Sequence, residues 1–387
     1  LAFAQDTAAV YVWDGSAWDR MAAGSDESPV ILTAPPTAHD LDHTGGTTTV
    51  TMTAQDPEGF DIEYGIAYNT SNNARPSQLS ADTTINQTTG VYTFTPSSTG
   101  SDAGSFKARL SASDGVKSSV RTVDVALAFD TLGELLLAAG GGGGNSYGGG
   151  GGGAGGLVLN TNYTFTAGVT NTIVIGTGGD KDEVQANRGD NGTDSTFTAG
   201  STLVYTSVGG GGGGGYPADG LGDGGSGGGS GRALTGDNGS STQNAYGGVG
   251  FGHDGSALTY SNKGGGGGGG AGGPGQGATS SPNSGGAGGA GKASTITGSS
   301  VFYCPGGPAG GYSTSIGSYV DGSLSSYGAG GNGGNYTANS SNNGADGVCI
   351  IATQQPATAT TGSPTVDTSS RSGWYVYTFT SNGTITF

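Results

Sequence analysis

Four uninterrupted glycine runs, at 140–144, 148–153, 209–215 and 264–270, constrain this chain more than any other feature. Glycine loses more backbone freedom on ordering than any other residue and brings no side chain to a core. A segment made of it is either a flexible linker, as Gly/Ser-rich segments usually are, or it is held by an arrangement that needs no side chains. Polyproline-II geometry supplies one: three residues per turn, no internal hydrogen bonds, every N–H and C=O directed outward. Without Cβ atoms, several such helices approach closely and bond to one another. The backbone groups are then satisfied between helices, and Cα–H···O contacts add to the attraction.

Apolar islands between the runs favour the ordered reading. Leu157-Val158-Leu159, Thr172-Ile173-Val174-Ile175, Leu203-Val204-Tyr205 and Val301-Phe302-Tyr303 are rich in β-branched and aromatic residues and read as short strands. A linker has no need of them. Leu135-Leu136-Leu137-Ala138-Ala139 opens the region and Gly347-Val348-Cys349-Ile350-Ile351 closes it, as one pair of strands clamping its ends. Collagen is excluded, because it needs glycine at every third position with proline throughout. Here there are only 13 Pro and no strict three-residue period.

The string Leu-Leu-Leu-Ala-Ala-Gly-Gly-Gly-Gly-Gly at 135–144, the island ending Ile173-Val174-Ile175-Gly176-Thr177-Gly178-Gly179 and Gly-Ala-Asp-Gly-Val-Cys-Ile-Ile at 344–351 together resemble the glycine-rich domain of bacteriophage tail fibres and receptor-binding adhesins. The resemblance implies a sandwich of polyglycine-II helices whose tip loops meet a host cell-surface glycan or outer-membrane protein. It also implies a place in the virion tail beside other tail components, and a homo-oligomer, a trimer first.

Charge narrows the partners. Lys and Arg number 12 against 29 Asp and Glu, a formal net charge of −17. Such a surface repels a nucleic-acid backbone, so DNA and RNA are not expected partners. No apolar run reaches the length of a membrane-spanning helix, about 18 residues or more.

Four regions follow from composition and turn signals: 1–24, 25–130, 131–352 and 353–387. In the first, Tyr11-Val12-Trp13-Asp14-Gly15-Ser16-Ala17-Trp18 reads as a hairpin flanked by Trp13 and Trp18, and resembles short repeats of phage tail proteins. It is either a local aromatic staple or an attachment surface. In the second, strands are expected at 47–54, 62–67, 84–86, 91–95, 106–113 and 120–129, separated by Gly45-Gly46, Asp56-Pro57-Glu58-Gly59, the turn at 97–100 and Asp114-Gly115. Gly90-Val91-Tyr92-Thr93-Phe94-Thr95-Pro96 and Ala112-Ser113-Asp114-Gly115 resemble cadherin-like or Ig-like modules of bacterial and phage surface proteins. The resemblance implies calcium at loop acids, for which Asp56, Glu58, Asp61 and Asp114 are the candidates; a plain turn is the simpler reading.

In the glycine-rich region, Asp180, Asp182, Glu183, Asp190 and Asp194 crowd a turn-rich loop. Calcium takes six to eight oxygen ligands, but no EF-hand or β-roll spacing is present, and a solvated acidic loop is preferred. Several motif matches are products of glycine density. Gly224-Gly225-Ser226-Gly227-Gly228 imitates a nucleophile elbow, yet the chain has only His39, His43 and His253. The stretch 286–292 imitates a phosphate loop, with Ala293 where Ser or Thr is required. Arg188-Gly189-Asp190 is a three-residue string of the kind that arises by chance.

Tyr216, Tyr246, Phe251, His253, Tyr260, Tyr312, Tyr319, Tyr327 and Tyr336 lie among Ser, Asn and Gly, the composition of adaptable binding loops. They are either receptor-contacting residues or a cover for the lattice edge. Cys304 and Cys349 allow one disulfide, with free buried thiols the preferred reading. The segment from Trp374 to Phe387 reads as strand, Asn-Gly turn, strand, with Trp374 and Phe387 as subunit-contact candidates.

No helix is readable, since apolar residues never recur at three–four spacing over a dozen positions. The expectation is an all-β protein: N-terminal hairpin, Ig/cadherin-like β-sandwich, glycine-rich domain of short strands and packed polyglycine-II helices, and C-terminal β-hairpin. The function expected is non-enzymatic host-surface recognition by a phage tail-fibre or adhesin subunit, without a cofactor. The alternative is a secreted bacterial filament or surface-layer subunit that polymerises through its terminal strands.

Overall fold

The computed structural model describes residues 2–4, 9–13, 15–16, 18–21, 27–42, 45–216, 222–232, 237–258, 264–278, 284–312, 315–337 and 340–387. They form two compact units, Leu1–Phe129 and Asp130–Phe387. The protein is almost entirely β, with several separate sheets and only three single-turn 3₁₀ segments among the described residues.

The first unit begins with β1 (Ala2–Ala4), β2 (Ala9–Trp13) and β3 (Trp18–Met21), an antiparallel sheet with Trp13 opposite Trp18. Then follow β4 (Val30–Thr33), β5 (Ala38–Asp40), β6 (Thr48–Thr51), β7 (Thr53–Gln55), β8 (Glu63–Tyr68), β9 (Leu79–Asn86), β10 (Val91–Pro96), β11 (Gly104–Ser113) and β12 (Ser118–Leu127). One sheet runs β6-β10-β9 and another β5-β12-β11-β8, with β4 and β7 paired apart. Alternate residues of the long strands, Tyr92 and Phe94, Phe106, Ala108, Leu110 and Ala112, Val123, Val125 and Leu127, form the shared core, as period-two side chains require.

The strand expected at 47–54 is two strands. Met52, fully buried, breaks it, and its N–H donates to the Gly90 carbonyl. Gly90 sits at φ +64°, where a Cβ would stand 1.9 Å from the Met52 carbonyl oxygen. Only glycine fits there. At the turn after β7, one Asp56 carboxylate oxygen accepts from the Glu58 and Phe60 N–H groups, which makes Asp56 the organiser of a turn.

The second unit contains β13 (Thr131–Ala138), β14 (Leu157–Phe165), β15 (Thr170–Val174), β16 (Ser195–Ala199), β17 (Thr202–Ser207), β18 (Gly250–Phe251), β19 (Lys292–Ser294), β20 (Val301–Tyr303), β21 (Val348–Thr353), β22 (Ala359–Thr361), β23 (Thr365–Asp367), β24 (Tyr375–Phe379) and β25 (Gly383–Thr386). Two sheets, β18-β14-β13-β21-β24-β23 and β17-β16-β15-β25-β22, make a sandwich. All four apolar islands are strands. The clamp is present too: Leu135, Leu136 and Leu137 pair antiparallel with Ile351, Ile350 and Cys349.

The unbroken apolar character of β13 and β21 follows from burial on both faces. Leu135, Leu137, Cys349 and Ile351 point into the core between the sheets, with Phe165, Phe197, Phe379 and Ile385. Leu136, Ala138, Val348 and Ile350 point the other way, against Ile296, Tyr303, Cys304 and two lattice alanines, Ala154 and Ala271.

The C-terminal hairpin is corrected. Both strands and the turn residues between them exist, but the strands do not pair with each other. Strand β24 joins β21 and β23, while β25 joins β15 and β22, so the connection crosses from one sheet to the other. The Asn-Gly step serves that crossing: Asn382 Oδ1 accepts from the Ile175 N–H instead of closing a two-strand loop. Phe387 is buried in its own core against Phe165 and Tyr377, which removes it as a subunit contact. Trp374 lies under the Arg371 guanidinium at 3.6 Å, and Arg371 pairs with Glu134 at 2.6 Å, both charges largely buried. Arg371→Met leaves Glu134 without its partner and is expected to cost about 2 kcal/mol, read as a shifted denaturation midpoint.

Cys304 and Cys349 form no disulfide; both are free and fully buried, and burial pushes both thiols well above their usual range. Neither thiol is therefore expected to react with Ellman's reagent in the folded protein, whereas two react after denaturation. Reductant is expected to leave the melting temperature unchanged.

Candidate binding surface at the tip of the glycine lattice

Six sandwich strands continue into glycine-rich segments without a turn. Strands β13, β15 and β17 run out into 139–145, 175–182 and 208–216; β14, β16 and β21 receive 148–156, 189–194 and 340–347. The hydrogen bonds of the segment at 140–145 reveal its geometry. The N–H groups of Gly140 and Gly143 donate to Thr193 and Asp190. Those of Gly141 and Gly144 donate to Ala345 and Asn342, and those of Gly142 and Asn145 to Gly153 and Gly150. Each partner recurs every third residue, and three successive residues face three different neighbours. The carbonyls repeat the pattern toward three more: Gly140 and Gly143 accept from Gly210 and Gly213, Gly141 and Gly144 from Gly179 and Asp182, Gly142 and Asn145 from Gly331 and Gly334. One three-fold helix thus has six bonded neighbours. This is polyglycine-II packing, with every backbone group satisfied between helices.

The segment at 148–156 is a second such centre. Its bonds reach Gly211 and Gly214, Gly266 and Gly269, Gly328 and Gly331, Gly307 and Gly310, and Ser226 and Gly229, besides the first segment. A Cβ on Gly150, Gly151, Gly152 or Gly153 would stand 1.9–2.1 Å from a neighbouring carbonyl oxygen. Glycine is required by close approach, not by an unusual φ.

The chain turns back at the end of this lattice remote from the sandwich, and there the candidate surface forms. Tyr147, from the return between the first two runs, meets Tyr336 edge to face at 6.3 Å. Tyr312 stacks on Tyr336 with ring centroids 5.3 Å apart and planes 8° from parallel. The Arg232 guanidinium lies 4.4 Å from the Tyr336 ring centre, 4.6 Å from Tyr216 and 5.7 Å from Tyr312. The Arg232 N–H donates to the Gly148 carbonyl, the Gly148 N–H to Gly334, and the Tyr336 N–H to Gly311. The lattice thereby fixes the backbone beneath each ring. None of the four phenol hydroxyls hydrogen-bonds to a described residue, and Tyr312 is 44% exposed.

The other candidates lie elsewhere. Tyr246 packs on Tyr205 beside the sandwich core, its hydroxyl donating to the Thr206 carbonyl. Phe251 sits in β18 beneath Lys292, whose Nζ is 4.3 Å from the ring centre. The His253 carbonyl accepts from the Gly227 N–H inside the lattice. The Tyr319 hydroxyl donates to the Gly330 carbonyl, and burial pushes that phenol well above its usual range. The Tyr327 carbonyl accepts from Cys304. Tyr260 lies outside the described residues.

The acids at 180–194 do not meet as a calcium set. Asp180 accepts from Asn343 and Asp194 from Gly209, while Asp182 accepts from Val184 and Asn187 and Glu183 pairs with Lys181. Among the described residues no three His, Cys, Asp or Glu side chains are grouped to hold a metal. Gly189 and Asp190 of the Arg-Gly-Asp string are lattice residues, bonded to Gly213, Asp180 and Gly143. Ser226 is fully buried between helices, not raised on a turn.

Sequence reading missed Tyr147 and Arg232. A signal for each was present: Tyr147 stands in a three-residue gap between glycine runs, and Arg232 is the only arginine between Arg188 and Arg371.

The sequence matches the family model for a glycine-rich domain over residues 116–354. No curated protein matches the chain. A match over more than half of the sequence, on the segment that builds the interhelical lattice, shows that the chain belongs to the glycine-rich domain family.

Proposed function

We propose that this protein is a non-enzymatic recognition subunit of the phage tail-fibre or adhesin kind, with the lattice tip as its host-binding surface. The observation that carries this reading is the tip cluster. Tyr147, Tyr216, Arg232, Tyr312 and Tyr336 are far apart in sequence, yet they converge on one face whose backbone the lattice holds. Aromatic side chains with few rotatable bonds lose little entropy on binding, and a fixed mount reduces the ordering cost further. On this reading the first unit, an Ig/cadherin-like module preceded by its hairpin, serves attachment, and several copies per virion add avidity. The partner is a surface glycan or an outer-membrane protein of the host.

The filament alternative requires terminal strands free to pair with another subunit. Strands β24 and β25 lie inside their sheets with neighbours on both edges, which weighs against pairing through the C-terminal strands. Immunogold electron microscopy with antibody to residues 131–352, on culture and lysate, tests the choice. Gold on phage tails is the expected result; gold along cell-attached threads beside bare virions would overturn it. Purified Tyr312→Ala, which removes an exposed ring, is expected to bind host cells at least about ten-fold less with an unchanged melting temperature.

A further inference from the structure

We propose that the tip takes a sugar bearing an oxyanion, carboxylate or phosphate, with Arg232 as its anchor. The inference deepens the recognition reading and rests on it. Three observations lead to it. The first is that Arg232 has no counter-ion among the described residues. Several other cations are engaged: Lys107 pairs with Asp124, Lys181 with Glu183 and Arg371 with Glu134, and Lys292 rests on Phe251.

The second is the state of its hydrogen-bonding groups. Its Nε is buried and has no acceptor among the described residues, none of which accepts from its terminal nitrogens. Three tyrosine rings hold the guanidinium within 6 Å, which supplies cation–π attraction and fixes a planar fork. Such a fork pairs in bidentate fashion with carboxylate or phosphate. The third is the free hydroxyls. Tyr64, Tyr68, Tyr92, Tyr205, Tyr246, Tyr319 and Tyr377 spend theirs on internal bonds. Those of Tyr147, Tyr216, Tyr312 and Tyr336 have no partner among the described residues and can meet sugar hydroxyls, beside rings suited to the apolar face of a pyranose.

The net charge of −17 does not preclude an anionic ligand. Remote acids are screened within a Debye length of about 10 Å at 0.1 M salt, whereas a contact pair is screened far less.

The test is calorimetric titration of the full chain with trigalacturonate, with its methyl ester, which removes the charge and keeps the sugar, and with glucose 1-phosphate. Expected is binding of at least one of the two anions, at least ten-fold weaker binding of the ester, and at least ten-fold loss in Arg232→Met with partial retention in Arg232→Lys. Tyr312→Ala, whose ring is exposed, keeps the test valid if Arg232→Met disturbs the tip, and is expected to lose several-fold. Absence of binding by both anions, equal binding of the ester, or unchanged binding in Arg232→Met would overturn the proposal. Host-cell binding separates the two failures. If it depends on Tyr312 but is neither competed by polygalacturonate nor lowered by Arg232→Met, the anion inference fails alone. If no tip variant changes it, the recognition reading fails as well.

Discussion

Gly152→Ala is expected to unfold the glycine lattice, at a cost above about 4 kcal/mol, the range of exceptional single substitutions. The added Cβ would lie 2.1 Å from the Gly142 carbonyl oxygen, 2.6 Å from its carbon and 2.9 Å from the Gly143 oxygen. All three atoms are backbone, so no side chain can swing aside. Relief requires moving the segment at 140–145, which bonds to six neighbours in a three-residue repeat. A shift that frees one neighbour strains the others, so the cost spreads through the lattice. Gly273→Ala is the matched control. Its nearest atoms are the Cβ and nitrogen of Ala290, at 3.7 and 3.8 Å, and its φ is not positive. That variant is expected to be neutral or stabilised by about 0.4–1 kcal/mol, because alanine lowers the entropy of the unfolded chain. Denaturant melts of both variants decide the matter. A Gly152→Ala protein with the parent's midpoint would refute the lattice.

Ending the chain after Gly373 is expected to abolish folding of the second unit. The missing segment supplies an interior strand to each sheet, β24 between β21 and β23 and β25 between β15 and β22. It also removes Val376, Tyr377, Phe379, Ile385 and Phe387 from the cores. Each such side chain contributes about 1.5–3 kcal/mol on burial. Five of them approach the whole stability of a typical domain, about 5–15 kcal/mol. Strands β21 and β15 would in addition be left with open edges, which favour aggregation. Insoluble expression, or loss of protease resistance from 130 onward, is the expected result. A truncated protein that keeps a cooperative melt of this unit would show that the sandwich does not depend on its last two strands.

The reading of the glycine runs succeeded because the physical choice was binary. Such runs either stay disordered or pack without side chains, and the β-branched islands between them made sense only in the second case. The islands became strands for the same reason, and Leu135-Leu136-Leu137 found Ile351-Ile350-Cys349 because both faces of that pair are buried. The C-terminal hairpin failed on a competing long-range term. An Asn-Gly step between two strands is a sound local signal, yet β24 and β25 gain more by completing two existing sheets than by pairing with each other.

The candidate surface was legible only in part. Composition pointed to Tyr216, Tyr312 and Tyr336, and equally to Tyr246, Phe251 and Tyr319, whose side chains make contacts within the fold, and to Tyr327, whose ring is partly exposed. Nothing local separates the two groups. The difference lies in which end of the lattice each residue reaches, and that depends on how many residues run between successive returns and which neighbour each segment bonds.

The sequence by itself determined the all-β class, the place of the glycine lattice and the strands that frame it. Those follow from local rules: the burial pattern of short apolar runs, and the inability of glycine to order except against other backbone. Only the tertiary structure decided that the final strands cross between sheets, that the cysteines stay apart, and that Arg232 meets tyrosines from three distant positions. Those outcomes rest on backbone bonds between segments far apart in the chain, and glycine, having no side chain, leaves no local trace of which neighbour it will meet.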